Sequence, residues 1–92
     1  MASSKITRSS EFRFAEIPQN EVLNNIKESG LYWCNGVRIH SSAASLAWGM
    51  LIVASNSANN AIKQYFSYAG ANAIMARYYN GTWSDWTYVT PT

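Results

Sequence analysis

The sequence predicts a small α+β fold, a mostly antiparallel β-sheet with one short N-terminal helix, knob-like and preceded by an extended arm. Three observations point there. Asn35-Gly36 and Asn80-Gly81 are hairpin signals, because a two-residue type I′ turn needs positive φ at both central positions and Asn then Gly supplies it cheaply. The second half of the chain is rich in aromatic and β-branched residues punctuated by polar turns, as strands prefer. Between them, Asn20 and Ser29-Gly30 read as the start and stop of a helix.

Taken in order, residues 1–4 read as a leader and residues 5–16 as the arm, so the expected division is 1–16 for leader and arm and 17–92 for the knob domain. Within the arm Ile6, Phe12 and Phe14 share one parity, while Thr7, Glu11 and Arg13 share the other. That alternation suits an edge strand, or an arm that buries Phe12 and Phe14 against another subunit. Ile17-Pro18 breaks it. A helix is expected over residues 20–28, with Asn20 as N-cap, Glu21 favourable to the macrodipole, and Val22, Ile26 and Leu23 on the apolar face. Leu31 to Cys34 then forms a strand, Asn35-Gly36 turns, and Val37 to Ile39 returns. Residues 41–48 show no period and read as a loop. Residues 49–54 (Gly-Met-Leu-Ile-Val-Ala) are apolar on both parities, which predicts a strand buried on both sides. A polar turn leads to a strand over residues 61–68, and residues 69–72 connect it to the closing hairpin around Asn80-Gly81.

Composition narrows the function classes. A chain of 92 residues, 48% apolar and only 13% charged, folds as one domain or part of one. Domains this small often lean on disulfides, metals or oligomerisation. Cys34 stands alone, and with His40 as the lone histidine no metal site is expected, so oligomerisation is the remaining support. The formal charge of +2 is spread out and gives nucleic-acid binding little help. No apolar run is long enough to insert into a membrane as a spanning helix.

Pairing the last strands sorts their residues. If residues 69–72 form a four-residue loop, Phe66 faces Met75, Gln64 faces Arg77 and Ile62 faces Tyr79. If Asn80 and Gly81 are the whole of the next turn, Trp86 joins Met75 and Trp83 joins Tyr78. The expected core face then holds Trp86, Phe66, Met75, Arg77 and Gln64. The expected outer face holds Trp83, Tyr78, Lys63, Asp85 and Tyr65. Trp83 and Trp86 are three residues apart and in a regular strand point to opposite faces. Arg77 has a structural reading, stacking near Trp86 and bonding Gln64, and a sharper one as a ligand-binding arginine. The structural reading is favoured, because interior charges are retained mainly when paired.

Several motifs occur in a telling order: Asn25-Ile-Lys-Glu-Ser-Gly-Leu-Tyr32, Gly49-Met-Leu-Ile-Val53, Ile62-Lys-Gln64, Ala76-Arg77 and Trp83-Ser-Asp-Trp86. Over about residues 22–89 the chain resembles the pyocin-knob family of phage tail fibres, tailspikes and phage-tail-like bacteriocins. It departs at Leu46-Ala47-Trp48, where that family tends to carry a proline. The resemblance implies a homotrimeric receptor-binding or structural module at the extracellular tip of a virion fibre, joined to the rest of the tail fibre.

Three functions compete. The first is binding of bacterial surface polysaccharide or lipopolysaccharide in host attachment. Sugars present C–H faces that stack on Trp and Tyr, while Asn, Asp, Arg and Lys take hydroxyls. The candidate contacts are Trp83, Tyr78, Lys63, Asp85 and Tyr65, with Trp48 and Trp33 as further candidates. The second is a purely structural trimerising knob. The third is an accessory domain of a polysaccharide depolymerase whose catalytic part lies elsewhere. Catalysis by this chain is not expected, because glycoside hydrolysis needs two carboxylates and Asp85 is the one acid after Glu28. No cofactor is expected.

Overall fold

The computed structural model describes residues 12–56 and 58–89. Residues 1–11, with the leader and most of the expected arm, lie outside the described residues. The rest builds one six-stranded sheet. Its strands are β1 (Arg13–Ile17), β2 (Gly30–Val37), β3 (Ala47–Ser55), β4 (Ile62–Tyr68), β5 (Ile74–Tyr79) and β6 (Thr87–Tyr88), in spatial order β1 to β6. β1 runs parallel to β2, and every other pair is antiparallel.

The fold is therefore all-β with a mixed sheet, which corrects the expected α+β class. Where a helix was expected there is a single 3₁₀ turn, Leu23–Asn25. The reason is competition from β2. Asn20 has φ 74°, outside the extended range of an N-cap. The Asn20 amide donates to the Gly36 carbonyl at 2.8 Å, Leu23 N–H to the Arg38 carbonyl at 2.9 Å, and Arg38 N–H to the Glu21 carbonyl at 2.9 Å. Those long-range bonds take the backbone groups a helix would have used. A nine-residue stretch has little intrinsic helicity with which to resist.

Two turn expectations also change. Asn35-Gly36 does not reverse the chain. Gly36 takes φ +82° and the pairing slips there, so the dipeptide makes a bulge and β2 continues to Val37. At Asn80-Gly81 only Gly81 has positive φ, +90°. The turn is three residues long, closed by a bridge between Tyr79 and Trp83 and by Asn80 N–H donating to the Thr82 carbonyl at 3.1 Å. The β4–β5 register agrees with the sequence reading: Phe66 faces Met75, Gln64 faces Arg77 and Ile62 faces Tyr79.

Among the described residues, one face of the sheet is covered and the other is not. Residues 18–28, 38–46 and 82–86 supply partners to the covered face, whose fully enclosed apolar members are Leu23, Cys34, Val37, Leu51, Val53 and Phe66. Gly49 sits where a Cβ would come within 2.1 Å of the Ser67 carbonyl oxygen, so the close approach of β3 to β4 requires glycine. The expectation that residues 49–54 are buried on both sides is corrected. Leu51 and Val53 are buried, while Met50 and Ile52 between them are more than 40% exposed.

Candidate functional site

The covered face is centred on a buried polar pair. Arg77 projects inward from the middle of β5 and is 4% exposed. Its Nε donates to Gln64 Oε1 at 2.9 Å. Gln64 in turn donates from Nε2 to the carbonyls of Leu23 and Ile26, both at 2.8 Å. Those carbonyls are open to it because residues 23–26 do not form a continuing helix. Gln64 thus ties the loop over the sheet to the sheet itself. Burial lowers the Arg77 pKa to about 10, which leaves the guanidinium charged at neutral pH.

Two tryptophans close over that charge. The guanidinium carbon lies 4.0 Å from the ring centroid of Trp83 and 4.6 Å from that of Trp86. Trp83 Nε1 donates to the Asn24 carbonyl at 3.2 Å and Trp86 Nε1 to the Ile39 carbonyl at 2.8 Å. Each indole therefore has a cation on its face and a satisfied N–H. This overturns the expected split, in which Trp83 faced outward beside Tyr78. Trp83 pairs with Tyr79, and β6 pairs Thr87 with Ala76 and Tyr88 with Met75. Three residues, 84–86, thus stand opposite two, 77 and 78. The extra residue breaks the two-residue period and brings both indoles to the side of Arg77.

Around this sandwich lies a cleft of about 290 Å³, lined in part by Asn24, Arg77, Trp83, Asp85 and Trp86. His40, Ser41, Ser42 and Ser84 complete its rim, with a hydrogen bond of 3.1 Å between Ser42 Oγ and His40 Nδ1. Of the residues expected to bind saccharide, the cleft gathers Trp83 and Asp85. It joins them to Trp86 and Arg77, which were assigned to the core. Asn24, the residues at 40–42 and Ser84 were not anticipated. They come from three separate segments, and no local spacing announces such a meeting.

The remaining expected contacts lie on the open face. Register places Phe14, Leu31, Ile52, Tyr65 and Ala76 in one row across five strands. Beside it run Trp33, Met50, Ser67 and Ile74. Trp48 lies opposite Asn35, and Lys63 opposite Tyr78. Phe12 packs edge-on against Phe14 with ring centroids 5.7 Å apart. Phe12, Phe14, Trp33, Trp48, Met50, Ile52 and Tyr78 are between 41% and 77% exposed. Among the described residues, charge on this face is confined to its margins, at Glu16 and Lys63.

Among the described residues no helix is long and apolar enough to cross a membrane, and no three His, Cys, Asp or Glu side chains are grouped to hold a metal ion. No family model, curated protein or solved structure matches the chain.

Proposed function

We propose that this chain is the distal module of a phage tail fibre or tailspike, a homotrimer that binds bacterial surface polysaccharide or lipopolysaccharide at the extracellular tip of the virion. The observation that carries the reading is the open face of the sheet. Seven large side chains there leave on the order of 700 Å² exposed, close to the ~800 Å² per partner of a standard interface. Such a patch is uncommon on a monomer. Its centre is uncharged and aromatic, which suits another copy of itself. The apolar centre packs copies together, with Phe12 and Phe14 extending it at the β1 edge. Lys63 at the margin and the cleft behind the sheet stay free for ligand and for the rest of the fibre.

Sedimentation analysis tests this. Three chains per particle are expected, and Ile52→Lys, which puts a charge at the centre of the face, should release folded monomers. A wild-type monomer at high concentration overturns the assembly. The trimer should also bind a panel of purified capsular polysaccharides and lipopolysaccharides. A trimer that binds none leaves a structural knob.

A further inference from the structure

The cleft behind β5 contains two polar atoms with unmet needs. Among the described residues, Arg77 Nη2 and Asn24 Oδ1 are closed off from solvent and have no hydrogen-bond partner. One is a donor and the other an acceptor. Leaving either unmet is costly, more so for the charged one. Both residues line the same cleft and lie within reach of Trp83: its ring stacks on the guanidinium, and its Nε1 holds the Asn24 carbonyl. The surrounding bonds are already made. Arg77 Nε is committed to Gln64, and both indole N–H groups to backbone carbonyls.

A group entering between these atoms must accept from the guanidinium and donate to the amide oxygen. A hydroxyl does both through one oxygen. A carboxylate only accepts. It would leave Asn24 Oδ1 unmet and would face the Asp85 carboxylate on the rim. An ammonium only donates, and it would meet Arg77. Both atoms are closed off in the unliganded chain, so a hydroxyl reaches them only by parting the side chains around them, and it does so only when the attached carbon skeleton gains contact elsewhere. The edges of Trp83 and Trp86 offer that contact to C–H groups, and Asp85 and Ser84 stand where further hydroxyls would reach.

We infer that the cleft between Arg77, Asn24, Trp83 and Trp86 is a subsite for a neutral sugar unit, which places one hydroxyl between Arg77 Nη2 and Asn24 Oδ1 and its C–H face on the indoles. The inference rests on the saccharide-binding reading above and gives that reading a location. It separates two duties on opposite sides of one sheet: assembly on the open face and recognition behind it.

The test is a titration of the intact chain with glucose, galactose, mannose, rhamnose and glucuronate, followed through the ¹⁵N-labelled indole signals of the four tryptophans. At least one neutral sugar should shift Trp83 and Trp86 saturably while Trp33 and Trp48 stay still. Asn24→Ala should weaken that binding about tenfold or more. Asp85→Ala, at an exposed rim position, should weaken it less and serves if Asn24→Ala fails to fold. Shifts confined to Trp33 and Trp48, binding unaffected by either substitution, or tighter binding of glucuronate than of every neutral sugar would overturn the subsite. So would silence at all four indoles. If polysaccharide still binds in that case, the wider reading survives and the site lies elsewhere; if it does not, both fall. A monomer whose Trp83 and Trp86 signals respond as expected loses the trimer and keeps the subsite.

Discussion

The two faces of β3 and β4 are built from nearly equally apolar side chains, yet the described residues bury one as a core and leave the other open. Leu51, Val53 and Phe66 lie under the loops, whereas Met50, Ile52 and Trp48 alternate with them in the open. Hydropathy does not distinguish the two. What differs is that the covered face carries a polar pair, Gln64 and Arg77, whose hydrogen bonds hold the covering segment in place. Among the described residues the open face has no such anchor. A strand apolar on both parities therefore does not say which face its own chain covers; the polar residues in register do.

The largest effect should come from the covered face. Phe66→Ala should cost ~3–5 kcal/mol in urea denaturation. Ile52→Ala, one residue pair away on β3, should cost under ~1 kcal/mol once the chain is measured as a monomer. Similar costs for the two would erase the distinction between the faces.

Next come the indoles. Trp83→Ala and Trp86→Ala should each cost about 3 kcal/mol and differ by less than ~1 kcal/mol, because each stacks on Arg77 and bonds one backbone carbonyl. A large gap in favour of Trp86 would restore the alternating arrangement expected from the sequence. Gln64→Leu is a subtler change of similar volume. It strands Arg77 Nε and the carbonyls of Leu23 and Ile26, and should cost ~2–3 kcal/mol. Amide exchange in residues 23–26 should rise more than in β3.

The most gradual effect is a pH slope, at most about 1.4 kcal/mol per pH unit for the one thiol. Burial under the covered face pushes the Cys34 thiol from 9.0 up to about 12. Between those values the unfolded chain has lost a proton that the folded chain keeps, so stability should fall as pH rises from about 9 to about 12. Burial also raises Tyr32 and Tyr68, which adds in the same direction at the upper end. Iodoacetamide at pH 9 should leave native Cys34 unmodified, and Phe66→Ala should accelerate its labelling. Prompt labelling of the native chain would mean that the covering loops open readily.

Much of this arrangement was legible in the residues, and the boundary of legibility is physical. The β4–β5 register followed from a four-residue connection and a two-residue period, both local. The Arg77–Gln64 bond followed from that register, whereas the Arg77–Trp86 stack was expected from a two-residue Asn80-Gly81 turn that the chain does not make. The helix over residues 20–28 failed because its backbone groups bond to residues 36 and 38, a non-local competitor that capping rules do not see. The position of Trp83 failed on one extra residue opposite β5. That single slip moved an indole from the expected outer platform into the cleft. Asn24 and His40 entered the cleft through loops whose paths depend on Gln64 and on the β2 bulge.

The arrangement of the two edge strands has a mechanical consequence. β1 is parallel to β2, and the alternation from β2 onward makes β6 point the same way as β1. Tension between residues 12 and 89 thus pulls the start of one edge and the end of the other in opposite senses along the strands, loading both in shear rather than peeling them. The two edges do not share strength equally: β1 is five residues long and β6 only two. Under load β6 yields first. It follows directly after Trp86, so its release slackens the chain that holds that indole over Arg77. A pull on the C-terminal side would thus loosen the cleft before it disturbs the strands that carry the open face.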